Sequence, residues 1–539
     1  MSDVASFHNL QLASSTLEFA LKKGVKTFCL CPGARNAPWV ELLDDLAREQ
    51  SEQIEVLNFF DERQASFFAL GRIKRDRRPV AVVTTSGTAV TELYSAVVEA
   101  FYTGLPLLLM TADRPKNYRG TGAPQAIDQA EIFGKYAPQS VDLEQGEHPL
   151  VLEWNLHAPM QLNVCFSEPL LSGFSEGRTA EISRLLNVGV EMTRGEHLPV
   201  PPFPQATDEL VRPLIVLGAL ETEEIRSEVL QFLRGRRIPI LAEASSGLRH
   251  ETTALPGLIQ GGETWARRAL KTQEVKSVIR LGGVPSFRFW RDLEDLPAVS
   301  VWNLSELPFS GLARESTVML GVAHSLGPLP QTSVRDWEQD AWSRFLNLDQ
   351  ANAQVRHQAI RLFPKSEPSM IAQLASEIPD HACIYLGNSL PIREWNGFVQ
   401  HRSANWRFQE NRGANGIDGQ LSTFFGTAQK NQENWGFFGD LTTLYDFTGP
   451  WALQYVPGRK IRIVVINNSG GRIFERMFAS SRFLTAHQLR FDQWSRIWSL
   501  EHTTLGDARS QDVSVVELLP EPEETRRFWE YVEAHCRSE

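Results

Sequence analysis

The stretch Gly439-Asp440-Leu441, read together with Ile466-Asn467-Asn468-Ser469-Gly470-Gly471, decides the fold. Each fragment follows an apolar run of strand length, 435–438 and 461–466. Short continuous apolar runs bounded by turn residues read as strands buried on both faces of a parallel sheet. In doubly wound sheets the ligand crevice lies just beyond the carboxyl ends of the strands. Asp440 and Asn468 are therefore expected at one edge, close in space. A carboxylate, an amide oxygen and a backbone carbonyl at Gly470 make a hard oxygen set, the kind Mg²⁺ takes when phosphate oxygens and water complete its octahedron. The glycines let the backbone approach a diphosphate. Either fragment alone reads as an ordinary strand-end Asp or a turn-forming Asn-Ser-Gly. In this order and strand context, the pair predicts a metal-diphosphate site on Asp440, Asn468 and Gly470.

The same rhythm runs outward through the chain. In the first block, strands are expected at 27–31, 54–59, 80–84 and 105–110, and helices at 14–22, 62–73 and 88–102. The proline-bearing stretch 191–213 lacks periodicity and reads as a linker. The rhythm restarts with strands at 214–217, 239–242 and 278–281 and a helix at 221–233. A second irregular region is expected near 325–332. A third block begins with helices from Trp337 and carries a further strand at 382–386. The alternation predicts an α/β protein of three doubly wound parallel-sheet domains, at 1–185, 205–335 and 345–539.

Composition narrows the function classes. The chain has 539 residues, 42% hydrophobic and 22% charged, with 14 Trp and 30 Phe, enough to fill several cores. A formal net charge of -11 argues against a nucleic-acid binder. Five cysteines in a chain this long make no disulfide framework, and Cys29 and Cys31 read as small buried residues of a strand rather than a metal pair. A basic leader followed by an apolar core is not seen, nor is an apolar run of membrane-spanning length, so a cytoplasmic protein without membrane insertion is expected.

The motifs carry more than rhythm. The Gly-Asp…Asn-Asn pattern resembles that of thiamine-diphosphate enzymes, which usually place Gly where Leu441 stands. Gly-Asp-Leu with Tyr445-Asp446 resembles one branch, the 2-succinyl-5-enolpyruvyl-6-hydroxy-3-cyclohexene-1-carboxylate synthases of menaquinone biosynthesis. Ordered matches extend over most of the chain: Cys31-Pro-Gly-Ala-Arg-Asn36, Phe60-Asp-Glu-Arg63, Thr85-Ser-Gly-Thr-Ala89, Thr111-Ala-Asp-Arg-Pro115, Gly122-Ala-Pro-Gln-Ala-Ile127, Leu386-Gly-Asn-Ser-Leu390 with Arg393, and Asn411-Arg-Gly-Ala-Asn-Gly-Ile-Asp-Gly419. The middle block matches in rhythm only.

The resemblance implies bound thiamine diphosphate with Mg²⁺ or Mn²⁺, decarboxylation of 2-oxoglutarate, and 1,4-addition of the resulting carbanion to isochorismate. Three domains in a homodimer or homotetramer are implied, with Glu62 facing a neighbouring subunit's cofactor. Glu62, otherwise a solvated helix-opening residue, takes the role of the carboxylate that shares a proton with N1′ of the cofactor's aminopyrimidine; Asp61 is the neighbouring alternative. Ser86 and Gly87 belong to a loop beside the cofactor, which also reads as a helix cap and tight turn. Arg35, Arg114, Arg393 and Arg412, each past a strand or in a glycine-rich turn, suit two dicarboxylate substrates through bidentate pairing. Gln125 and Ser389 match family hydrogen-bond donors. Ile417 matches a family position that supports the bent cofactor and Phe474 one that walls the pocket; both read equally as core packing. Arg288, in Pro285-Ser-Phe-Arg288-Phe289, stands at a cationic position. Departures fall at Ala34, Pro124 and Phe289, where the family carries Ser, Asn and a charge. They leave open a thiamine-dependent decarboxylase or carboligase with another acceptor, or a non-catalytic cofactor-binding paralogue.

Overall fold

The computed structural model describes residues 2–49, 53–149, 152–171, 177–191, 210–326, 334–400, 402, 404–503 and 512–536. Most of the expected linker, 192–209, and residues 327–332 of the second irregular region lie outside the described residues.

Three parallel sheets with interleaved helices are present, as the rhythm predicts. The first contains β1 (Thr27–Leu30), β2 (Glu55–Asn58), β3 (Val80–Thr84), β4 (Leu107–Asp113), β5 (Gln139–Leu143) and β6 (Met160–Cys165). Its strand order is β2-β1-β3-β4-β6-β5. The second contains β7 (Pro213–Leu217), β8 (Ile240–Ala242), β9 (Ser277–Leu281), β10 (Ser300–Ser305) and β11 (Thr317–Leu320), in the order β11-β10-β9-β7-β8. The third contains β12 (Cys383–Leu386), β13 (Arg407–Gln409), β14 (Glu433–Gly439), β15 (Lys460–Ile466), β16 (Glu501–Thr503) and β17 (Val513–Leu518). Its order, β13-β12-β14-β15-β17-β16, repeats the winding of the first sheet strand for strand. In both, the chain reverses its direction of winding between the first and third strands, where such sheets open a ligand crevice.

The chain divides into two compact units. One comprises Met1–Gly195, Gly413–Ala428 and Tyr445–Pro457; the other comprises Glu196–Arg412, Gln429–Leu444 and Gly458–Glu539. In the first unit the helix Gln420–Thr427 lies against the helix Glu62–Asp76 at glycines. A Cβ on Gly71 would stand 2.1 Å from the Thr423 carbonyl oxygen, so only glycine permits this approach. Buried Asp446 fastens the same segment by accepting from the Ser422 backbone N–H at 2.7 Å and its hydroxyl at 2.9 Å.

Local chemistry explains where expected elements shift. The helix expected over 88–102 is two helices, Thr88–Thr91 and Tyr94–Thr103; β-branched Thr88, Val90 and Thr91 hold helix poorly. The strand expected from 105 starts at Leu107, because Pro106 has no N–H for the ladder. The first helix begins at Ser2 rather than 14. Cys29 and Cys31 are buried, and burial pushes both thiols up.

Candidate cofactor and substrate site

In the second unit the strand register sets the site. Gly439 pairs with Ile466 across β14 and β15, so the residues after each strand emerge side by side. Asp440 is buried. Its Oδ2 accepts from the Gly470 N–H at 2.8 Å and its Oδ1 from the Leu441 N–H at 2.6 Å. His487 stands 3.2 Å from the same carboxylate. Burial pushes the Asp440 carboxyl up, while these donors and His487 pull it down. Gly470 has φ 135°, and a Cβ there would lie 2.3 Å from the Leu484 carbonyl oxygen, so the turn demands glycine.

Asn468 has a fixed orientation. Its Nδ2 donates to both carboxylate oxygens of Glu367, at 3.1 and 2.9 Å. Its Oδ1 is buried without a hydrogen-bond partner among the described residues. Leaving a buried acceptor unpaired costs about 1–3 kcal/mol, and a cation shared with Asp440 would satisfy it. The donor set therefore fits a hard divalent ion and a diphosphate. Sequence reasoning missed Glu367. Its carboxyl, pushed up to about 7 by burial, opposed by the Asn468 amide and raised by Asp440, lies beside buried Glu394. Burial and then Glu367 push the Glu394 carboxyl well up, while both Glu367 oxygens accept from the Asn468 amide.

In this unit Ser389 and Arg393 follow β12, and Arg412 follows β13. Ser389 adopts φ 78°, ψ -128° at the head of the helix Leu390–Phe398. This matches the φ 80°, ψ -138° of Gly87, a conformation that strains a residue with a Cβ and concentrates at functional sites. Arg393 donates to the Ser389 carbonyl at 2.6 Å, and Arg412 donates to Asn388 Oδ1 at 3.1 Å. Burial by surrounding protein, with Arg412 close by, lowers the Arg393 pKa. Asn388, also missed, ties the two loops by donating to the Asn411 carbonyl at 2.8 Å. Phe474 is partly exposed and meets Phe478 and Phe483 at ring distances of 6.2 and 6.0 Å. Arg288 opens the helix Arg288–Asp292, exposed and 3.7 Å from Asp292. Phe289 is fully buried in the core with Trp265 and Trp290, where an unpaired charge would be expensive; packing accounts for the absence of charge.

In the first unit the Asp61 and Glu62 carboxylates separate by role. Asp61 caps the helix by accepting from the Gln64 N–H at 3.0 Å, and its second oxygen accepts from the Thr448 hydroxyl at 2.7 Å. Glu62 is left half-buried, its pKa raised first by burial, opposed by its own backbone N–H, and raised further by Asp61 and Glu92. Past β3, Ser86 is buried, and the Gly87 N–H donates to Gln129 Oε1 at 3.1 Å. A Cβ on Gly87 would stand 3.2 Å from Gln125 Cα, so the Gln125 backbone rests on this glycine. Gln125 is exposed with φ 53°. Pro124 supplies its carbonyl to Arg114 Nε at 2.9 Å, a contact that survives any side-chain change there. Ile417 is half-buried in the loop that Glu99 caps through the Gly413 and Ala414 N–H groups, at 2.9 and 2.7 Å.

The four arginines thus form two pairs, one in each unit. Arg393 and Arg412 lie together in the second. In the first, Arg35 and Arg114 both turn toward Glu168, a residue outside every motif.

Residues 12–132 match the thiamine pyrophosphate enzyme, N-terminal TPP binding domain. The whole chain is similar to proteins named 2-succinyl-5-enolpyruvyl-6-hydroxy-3-cyclohexene-1-carboxylate synthase. That of Bdellovibrio bacteriovorus is 38% identical, covering 97% of this chain and 98% of that protein. That of Akkermansia muciniphila is 35% identical, covering 98% of each. That of Synechocystis sp. is 30% identical, covering 93% and 92%.

Proposed function

The chain belongs to the 2-succinyl-5-enolpyruvyl-6-hydroxy-3-cyclohexene-1-carboxylate synthase family, and on that footing we propose that it decarboxylates 2-oxoglutarate and joins the remaining four-carbon unit to isochorismate by 1,4-addition, in menaquinone biosynthesis. The geometric observation that carries this reading is the Asn468 amide, its N–H₂ held on Glu367 and its oxygen buried and unpartnered, on the strand end that pairs with the one leading to Asp440. Asp440, Asn468 and the Gly470 carbonyl would hold Mg²⁺ or Mn²⁺ on the diphosphate. Thiamine diphosphate supplies, when bound, the carbon nucleophile and the electron sink that decarboxylation requires.

The residues of the chain have separate tasks. Glu62 holds the proton at N1′ of the aminopyrimidine, and the upward push of burial on its carboxyl suits proton sharing. Ser86, Gly87, Leu441 and Ile417 shape the bed of the cofactor. Arg35, Arg114, Arg393 and Arg412 bind substrate carboxylates and offset developing charge, with Arg288 as an outer cation. Gln125 and Ser389 donate hydrogen bonds to the reactants, and Phe474 walls the pocket. The active assembly is a cytoplasmic homodimer or homotetramer.

The test is a coupled assay with 2-oxoglutarate and isochorismate, the product identified by mass. CO₂ release that needs both thiamine diphosphate and Mg²⁺, with the joined product, is the expected result. Preference for pyruvate would move the protein to another branch of carboligases. Cofactor binding without CO₂ release from any 2-oxo acid would make it non-catalytic.

A further inference from the structure

We propose that Glu168 is a built-in stand-in for a substrate carboxylate, holding Arg35 and Arg114 together until a small dicarboxylic acid displaces it. The inference rests on reading that arginine pair as a carboxylate site. Three strands of the first sheet deliver the parts at their carboxyl ends: Arg35 follows β1, Arg114 follows β4 and Glu168 follows β6. The Arg35 side chain is only 7% exposed. It donates to the Phe166 carbonyl at 3.0 Å and to Glu168 Oε1 at 2.8 Å. Arg114, anchored on the Pro124 carbonyl and stacked over Tyr118 at 5.4 Å, brings a nitrogen to 3.9 Å from the same oxygen. Among the described residues, Glu168 is the one carboxylate paired with either guanidinium.

Two cations turned to one point, with Arg35 buried, need an anion, because a buried charge without a partner is costly. Glu168 supplies it loosely. Its side chain is 66% exposed and meets both arginines through a single oxygen. The Glu168 end stands in solvent, which screens the pair and weakens it, whereas an incoming carboxylate has both oxygens free for bidentate pairing. The Glu168 side chain is not what holds its own segment. Asn9 does so, donating to the Ser167 carbonyl at 2.7 Å and the Leu170 carbonyl at 3.3 Å and accepting from the Ser167 N–H at 3.1 Å. Phe166 packs edge-on against Trp39 at 5.1 Å. Releasing the carboxylate to water therefore leaves the backbone in place.

The experiment compares native holoenzyme with Glu168→Gln and Arg35→Ala. It measures half-saturation by each acid and calorimetric binding of glutarate, an unreactive dicarboxylate. Removing the stand-in should lower half-saturation for the acid that docks on this pair by about two- to fivefold, the factor a solvent-screened ion pair is worth. Glutarate binding should tighten by the same factor, with kcat nearly unchanged. Half-saturation unchanged or raised for both acids in Glu168→Gln would overturn the proposal. The carboxylate-site reading is judged separately: it fails if Arg35→Ala leaves both half-saturations unchanged, and it stands if Arg35→Ala raises one of them.

Discussion

Asp440 and Asn468 were legible as residues because each stands one or two positions past an apolar strand, and the pairing of Gly439 with Ile466 brings those positions together. Glu62 was legible as a candidate but not separable from Asp61 on residue type. The separation comes from Asp61 spending one oxygen on the helix cap and the other on Thr448; the D-x-x-Q spacing to Gln64 was the cap signal in the sequence. Glu367 and Glu168 were not legible. Each acts on a partner far away in the chain, and neither lies in a turn or motif that marks it. Partners that orient a metal ligand typically contribute 10–100-fold to affinity. Glu367→Ala should therefore weaken Mg²⁺ in the presence of thiamine diphosphate by about 10- to 100-fold, measured by titration calorimetry. Unchanged Mg²⁺ affinity would show that Asn468 orients itself without Glu367.

At the scale of elements, the apolar runs located ten of the seventeen strands among the described residues; β5, β6, β10, β11, β13, β16 and β17 went unread, and the shifts at the elements that were read have local causes in Pro106 and in Thr88, Val90 and Thr91. Nothing periodic announced that the helix Gln420–Thr427 would settle on Glu62–Asp76, since glycine contacts leave no apolar stripe. That attachment has a pH dependence. Burial pushes the Asp446 carboxyl up to about 6, against the pull of the Ser422 donors and Arg63. Below the usual carboxylate range the group is protonated in both folded and unfolded chains, and its full contribution to stability is present. As pH rises through about 6 the folded state must bury a charge, and that contribution is lost, on the order of 2 to 3 kcal/mol. Asp446→Asn, which keeps an oxygen for Ser422, should flatten the fall in melting temperature between about pH 4 and 6. A variant that loses stability with pH as steeply as the native protein would place the titrating group elsewhere.

At the scale of the whole molecule, the first and third sheets share one winding, with Glu62 past the second strand of one and Asp440 past the third strand of the other. The sequence showed the two motifs in separate blocks; it had no means of showing that Gly413–Ala428 and Tyr445–Pro457 fold with the first. If each active site draws Glu62 from one subunit and Asp440 from another, co-expressed Glu62→Gln and Asp440→Asn chains should recover about a quarter of native activity, since half the dimers are mixed and each mixed dimer has one intact site. No recovery would put both residues in one subunit's site. The central claim is that Glu62 activates a cofactor anchored by Asp440 and Asn468. Its most direct test is deuterium exchange at the thiazolium C2 of bound thiamine diphosphate, acid-quenched and read by NMR, in native and Glu62→Gln protein loaded with Mg²⁺. Exchange in the variant should be slower by about 10²- to 10⁴-fold with cofactor affinity little changed; equal exchange rates in the two proteins would contradict the activating role of Glu62.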